Sequence, residues 1–194
     1  QLPIVCAVLL SLCLARTCRA ADSPNIVFFF IDDMGWTDLG FMGSDFYETP
    51  NIDRLASEGM VFTDAYANAP NCAPSRACLM SGQYTPRHGI FTVGDPKRGN
   101  HPFRKLEPVP NKTVLDDHFI TMAEALKTSG YVSASMGKWH LGADPTTQGF
   151  DVNIAGKEWG SPSGGGYHSP YRYPNLVQKE KGEYLTLSLI HISE

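Results

Sequence analysis

One uninterrupted apolar run, followed by two acidic residues, constrains the fold of this chain more than any other stretch. Residues 26–31 read Ile-Val-Phe-Phe-Phe-Ile, and Asp32 and Asp33 follow directly. Six consecutive apolar residues predict a strand buried on both faces, as in a parallel sheet covered by helices. The two carboxylates would then lie at the carboxyl end of the strand, where open α/β sheets bind ligands. The run therefore predicts an α/β protein with a site at this edge.

Asp32 and Asp33 are candidates for a metal site. Adjacent carboxylates repel each other, and a hard cation with oxygen ligands relieves that repulsion. The alternative is a solvated turn that leads into Gly35. Asp38, on the following loop, is interpreted as structural.

A second informative stretch, residues 71–82, reads Asn-Cys-Ala-Pro-Ser-Arg-Ala-Cys-Leu-Met-Ser-Gly. Pro74 fixes φ and suits the first turn of a helix, and Gly82 is suited to ending one. Cys72 would then lie at the helix N-terminus, where free N–H groups and the helix dipole favour an anion. Arg76, one turn later, would add a positive charge to the same place.

The alternative for Cys72 is an ordinary buried cysteine beside a loop, since free cysteines are among the most buried residues. A disulfide with Cys78 would have to cross the predicted helix, which fits poorly with disulfide distances. Cys78 is therefore interpreted as core, together with Leu79 and Met80, which are predicted to anchor the helix.

A third stretch predicts an amphipathic helix over 119–129, a strand over 131–136 and then a loop that contains Lys138 and His140. This order places Lys138 and His140 on the same edge of the sheet as the two aspartates. Lysine offers a point charge for an anionic oxygen, and histidine a hydrogen-bond donor or general acid. The alternative is a lysine and a histidine on an ordinary loop.

The remaining stretches are interpreted as scaffold and loops. A capped helix over 49–59, with Asn51 or Thr49 as its cap, and a strand over 60–67 would lead the chain to Cys72. Residues 83–118 are predicted to be long loops, with Arg87 and His88 on the surface.

Two loop residues carry conditional predictions. Asn111 begins a glycosylation sequon that matters only in a eukaryotic host. The glycine-rich residues from Gly149 onward are predicted to be loop, in which His168 is a candidate for substrate contact.

The N-terminal residues predict export. Residues 3–15 are apolar and uncharged but too short to span a bilayer, and a small-x-small cleavage site follows, so 1–20 are predicted to be a signal peptide. An N-terminal anchor or a buried strand is the alternative. Removing these residues takes away two of the 16 basic residues and none of the 20 acidic ones, leaving a formal charge of −6. That charge, with no basic patch, argues against nucleic-acid binding.

The strings Cys72-x-Pro-Ser-Arg76 and Gly137-Lys-Trp-His140, together with the Asp32-Asp33 segment, resemble the signatures of sulfatases, including arylsulfatases and N-acetylgalactosamine-6-sulfatases. The resemblance covers residues 24–186. It implies an alkaline-phosphatase-like fold, a mostly parallel sheet flanked by helices, of which residues 21–186 would be the N-terminal part.

The resemblance also implies the chemistry of the site. Cys72 would be oxidised to formylglycine by a formylglycine-generating or sulfatase-maturating enzyme, and its hydrate would be the nucleophile. Asp32, Asp33 and Cys72 would bind Ca²⁺, while Arg76, Lys138 and His140 would act on the sulfuryl group, the lysine and histidine also binding substrate. The substrate would be a sulfated carbohydrate or an aryl sulfate. The enzyme would be periplasmic or secreted, or lysosomal or extracellular in a eukaryote, without stable membrane insertion.

The resemblance also implies that these 194 residues hold only part of the site. In sulfatases a later Asp-Asn pair, histidine and lysine complete the site, and no Asp-Asn dipeptide follows His140. Residues 187–194 resemble a translated sequencing adapter, so the native frame is expected to continue past Thr186 and this fragment alone to be inactive. Two rival functions stay open: a phosphoester or phosphonate hydrolase of the same superfamily, and a non-catalytic exported carbohydrate-binding relative.

Overall fold

A computed structural model describes residues 23–97, 102 and 104–190, in two compact units divided between Met34 and Gly35. The predicted signal peptide lies outside the described residues. Within them, no helix is both long enough and apolar enough to cross a bilayer.

The first unit contains the apolar run, and the prediction of a buried strand there is wrong. Residues 26–31 form no strand, and their apolar side chains are exposed, Phe29 to 78%. A strand needs a hydrogen-bonded neighbour, and no strand within the described residues pairs with this run. Asp32 and Asp33 lie in a turn, in which Asp33 has a φ of 55°.

The second unit contains five α-helices and three 3₁₀ helices in its described part. The α-helices are α1 (Pro50–Glu58), α2 (Cys72–Ser81), α3 (Thr85–His88), α4 (Met122–Lys127) and α5 (Leu185–Ile190). The 3₁₀ helices span Gly40–Met42, Pro145–Gln148 and Pro162–Gly164.

Two short strands form a parallel sheet in this unit. Strand β1 (Ala134–Met136) pairs with β2 (Val152–Ile154), Ser135 lying opposite Asn153. Strand β1 lies inside the predicted strand 131–136, whereas β2 falls in residues predicted to be loop. Parallel pairing with flanking helices confirms the α/β class.

Residues 60–67 form no strand, so that prediction is wrong as well. Their side chains are exposed, Met60 to 78% and Tyr66 to 82%. The alternating apolar pattern is present, but no described strand lies beside it to satisfy the backbone.

The predicted helices over 49–59 and 119–129 both form, the second in a shorter version. Thr121 caps α4: its hydroxyl accepts the Glu124 N–H at 3.2 Å, and the Glu124 carboxylate accepts the Thr121 N–H at 2.7 Å. This reciprocal capping box fixes the start of the helix after residue 121.

The hydrophobic core lies between α2 and the loop that follows β1. Its buried members are Ala73, Ala77, Ile90, Leu115, Trp139 and Leu141, with Met80, Val93, Phe119 and Phe150 packed against them. The helix therefore meets the core mainly through small side chains. Of the two predicted anchors, Met80 packs against the core, while Leu79 is only half-buried.

Candidate functional site

Helix α2 presents Cys72 as predicted from the sequence. Cys72 is the first residue of the helix, and Asn71 before it has extended backbone. Gly82 ends the helix with a φ of 64°, which glycine adopts without steric cost. Cys72 and Cys78 are both free, so the unfavourable disulfide is absent. Cys72 is half-buried, whereas Cys78 is 2% exposed.

Arg76 connects α2 to the loop after β1. Its side chain is buried, with the residue 7% exposed, and its Nη1 donates a hydrogen bond to the backbone carbonyl of Lys138. The two residues are 62 positions apart in the chain. This bond brings the helix that begins at Cys72 and the segment that contains Lys138 and His140 into direct contact.

The Lys138 segment leaves the carboxyl end of β1, as expected. Gly137 donates its N–H to the Ile154 carbonyl at 2.8 Å, which extends the β1–β2 pairing by one bond. Trp139 then enters the core at 1% exposure, where its ring meets Phe150 edge-on. Lys138 and His140 therefore flank an anchored tryptophan.

His140 is held from the opposite side by residues 157–160. Its backbone, with a φ of 63°, donates its N–H to the Lys157 carbonyl at 2.8 Å. Gly160 passes so close to the imidazole that a Cβ there would lie 2.4 Å from Cε1. His140 is thus 9% exposed, in a position defined by backbone on both sides.

His88 is buried, so its predicted surface position is wrong. The residue is fully buried at the end of α3, with Nε2 lying 3.4 Å from the Cys78 Sγ. Burial lowers the pKa of His88 and raises the pKa of the Cys78 thiol, so both groups favour their neutral forms. Apart from the ten-residue separation of Cys78 and His88, nothing in the sequence indicated that the two side chains are in contact. Arg87 is exposed, as expected.

Asn111 uses its amide to organise residues 91–94. Its Oδ1 accepts the N–H groups of Phe91 and Thr92, and its Nδ2 donates to the carbonyls of Thr92 and Gly94. Thr92 in turn accepts a hydrogen bond from the Asn71 amide beside Cys72, at 3.3 Å. A glycan on Asn111 would replace one of the two Nδ2 hydrogens and so remove one of the two bonds that Nδ2 donates.

The remaining predicted site residues are Asp32, Asp33 and His168. Asp32 and Asp33 belong to the first unit and the other predicted residues to the second. The described residues hold no group of three or more histidine, cysteine, aspartate or glutamate side chains arranged to bind a metal. His168 is exposed and packs its ring 5.4 Å from that of Tyr184.

Comparison with known proteins defines the family. The sulfatase family profile matches residues 24–187. The chain belongs to the sulfatase family. It is 41% identical over 151 residues to N-acetylgalactosamine-6-sulfatase of Canis lupus familiaris, a match that covers 74% of this chain and 26% of the relative. It is 40% identical over 149 residues to a sulfatase of Formosa agariphila, covering 70% of this chain and 27% of that one.

Arylsulfatase G of Mus musculus is a further sulfatase relative, 38% identical over 157 residues, with 77% of this chain and 27% of the relative covered. The chain therefore spans about a quarter of the length of the curated sulfatases it matches.

Solved sulfatase structures share the fold. A protein from work on the metabolism of multiple glycosaminoglycans by Bacteroides thetaiotaomicron matches with a TM-score of 0.56 and 33% identity, covering 69% of this chain and 28% of that one. Ps i-CgsB in complex with k-i-k-neocarrahexaose matches with a TM-score of 0.50 and 36% identity, covering 62% and 25%. These neighbours confirm the expected alkaline-phosphatase-like fold.

Proposed function

We propose that this chain is the N-terminal part of a sulfuric ester hydrolase that removes sulfate from sulfated carbohydrates. The hydrogen bond from Arg76 to the Lys138 carbonyl carries the proposal, because it joins the two sulfatase signatures in one place. Membership of the sulfatase family supports the reaction type. The neocarrahexaose bound to one of the matched structures supports a carbohydrate substrate.

Cys72 is the proposed site of oxidation to formylglycine by a separate maturating enzyme. Its place fits this role, because it is free, half-buried and first in α2, whereas Cys78 on the same helix is buried against His88. As formylglycine hydrate, residue 72 would supply one hydroxyl to attack sulfur with departure of the alcohol, and a second whose deprotonation would release sulfate and re-form the aldehyde. An unmodified cysteine thiol carries no hydroxyl whose deprotonation could release sulfate in this way.

Three further residues have proposed roles around that nucleophile. Arg76 and Lys138 supply positive charge to the sulfuryl oxygens, where negative charge develops in the transition state. His140, held by backbone on two sides, orients the nucleophile and exchanges a proton with it.

Asp32 and Asp33, together with residue 72, are the proposed Ca²⁺ ligands. Carboxylate oxygens are the ligands that Ca²⁺ takes, so the donor type fits. Ca²⁺ takes about six to eight oxygens, so two aspartates need partners from elsewhere in a longer protein. Bound Ca²⁺ would supply electrostatic stabilisation of the sulfate oxygens.

The proposal also assigns a role to each segment of the chain. Residues 1–20 would direct export, residues 21–186 would open the catalytic domain, and residues 187–194 would be a non-native adapter translation. Residues 21–186 alone would be inactive, because the residues that complete a sulfatase site would come from elsewhere in a longer protein. Resequencing the source DNA across the Thr186 codon tests this: a frame that ends at Glu194 would contradict it.

The deciding experiment uses the complete gene product, coexpressed with a maturating enzyme. Peptide mass spectrometry should detect an aldehyde at Cys72 and an intact thiol at Cys78, which serves as the internal control on the same helix. Cys72→Ala should abolish turnover of 4-nitrophenyl sulfate, whereas Cys78→Ala should retain it. A retained thiol at Cys72 in active enzyme, or a preference for 4-nitrophenyl phosphate, would contradict the proposal.

A further inference from the structure

Lys157 has a positive charge that no acid in the described part of the chain neutralises. Its Nζ lies 4.7 Å from the centroid of the Trp159 ring, a cation–π contact. None of the ion pairs among the described residues includes Lys157, and the adjacent Glu158 is exposed and forms none with it. The Lys157 side chain is half-buried. The ammonium thus has an aromatic partner and no carboxylate partner among the described residues, which leaves it able to bind an external anion.

The ring that holds this ammonium is itself fixed. Tyr173 meets Trp159 edge-on, with ring centroids 5.8 Å apart. Gly164 packs against the indole so closely that a Cβ there would lie 2.8 Å from Cδ2. Trp159 therefore holds the lysine head group in place before any ligand arrives, which lowers the entropy cost of binding.

The same loop forms the wall beside His140. The Lys157 carbonyl accepts the His140 N–H at 2.8 Å, and Gly160 lies against the imidazole. Within four residues, 157–160, the chain contacts the proposed sulfate-binding histidine twice and carries an ammonium that has no carboxylate partner among the described residues. Lys157 and His140 are therefore joined through the backbone of one short loop.

We propose that Lys157 binds a second anionic group, a sulfate or a carboxylate, on a sugar whose reacting sulfate lies at His140. This inference rests on the proposed sulfatase activity and narrows its substrate class to polyanionic carbohydrates. Lys157 acts in substrate binding and takes no part in the sulfur chemistry.

The test compares three substrates in the matured, complete gene product: 4-nitrophenyl sulfate, a disulfated disaccharide, and a monosulfated disaccharide with a uronate. Lys157→Met should raise KM for one or both disaccharides by about tenfold, as expected for loss of a charge-assisted hydrogen bond. The kcat, and all constants for 4-nitrophenyl sulfate, should stay within about twofold. The disaccharide affected tells whether the second anion is a sulfate or a carboxylate.

Two variants serve as controls. Lys157→Arg keeps the charge and should restore most of the affinity. Lys181→Met removes a positive charge from an exposed position and should leave KM unchanged. Equal losses on 4-nitrophenyl sulfate and the disaccharides would overturn the inference, because the loop would then only support His140. Unchanged KM for every substrate in Lys157→Met would overturn it too.

Direct binding separates this inference from the proposed activity. If the wild-type protein hydrolyses no sulfate ester, the sulfatase proposal fails on its own. Calorimetric titration of the same disaccharides then tests Lys157 independently. Weaker binding to Lys157→Met than to wild type would support the anion site, and equal or absent binding in both proteins would overturn it.

Discussion

The imidazole of His88 donates toward the sulfur of Cys78 in the buried contact between α2 and α3. Nδ1 of His88 accepts the Ile90 N–H at 3.1 Å, so in the neutral ring the proton is on Nε2, which lies 3.4 Å from Sγ. The pair ties the helix that begins at Cys72 to the next helix along the chain. Because burial favours both neutral forms, this contact depends on pH.

We expect stability to fall as the pH drops below the ordinary histidine pKa of 6.5. Burial lowers the pKa of His88 in the folded state, so in this range the unfolded chain binds a proton that the folded one does not. His88→Gln should remove part of this dependence, measured as the pH slope of the free energy of unfolding. His118→Gln, at an exposed position, is the control. An identical slope in His88→Gln and wild type would contradict the prediction.

Asn111→Ala should destabilise the protein by about 2–6 kcal/mol, because one amide makes four hydrogen bonds to backbone, each with a net value of about 0.5–1.5 kcal/mol. Denaturant unfolding measures the change. Asn51→Ala, at an exposed position on α1, should cost far less. If the two variants unfold at the same denaturant concentration, the bonds of Asn111 do not support the fold.

Gly160→Ala should cost about 1–3 kcal/mol, because its new methyl group would lie 2.4 Å from the His140 ring. Gly160 does not have a positive φ, so the expected cost comes from the collision. A double-mutant cycle in the free energy of unfolding isolates it: in a His140→Ala background the same change should cost much less. An equal cost in both backgrounds would place the strain elsewhere.

Thr121→Ala should destabilise α4 and its contact with residue 148. The Thr121 hydroxyl accepts the Glu124 N–H and donates to the Gln148 carbonyl at 2.7 Å, and the residue is 1% exposed. We expect a loss of about 1–3 kcal/mol in thermal or denaturant unfolding. Thr128→Ala, at the exposed end of the helix, is the matched control. Equal effects would mean that the cap contributes little.

Local chemistry made the helix α2 predictable. Pro74 suits the first turn of a helix and Gly82 suits the position after its end. The helix indeed begins at Cys72 and ends at Ser81. Strand β1 and the loop with Lys138 and His140 were also predicted, since a glycine follows the apolar segment at its carboxyl end.

The predicted strands over 26–31 and 60–67 failed for a shared reason. The apolar pattern of a segment indicates that it is suited to a β-strand. A strand forms only when its backbone pairs with a second strand, and the described residues provide none for either segment. Strand β2 was missed for the converse reason: three residues between glycines carry too weak a pattern, and only pairing with β1 defines them as a strand.

The sequence by itself determined the family, the place of Cys72 at a helix N-terminus and the order of the candidate site residues, because these depend on neighbours in the chain. Only the tertiary structure decided that Arg76 binds the Lys138 carbonyl, that His88 is buried against Cys78 and that residues 157–160 enclose His140. Such contacts join residues that are far apart in sequence, and their energies exist only once packing excludes water from between them.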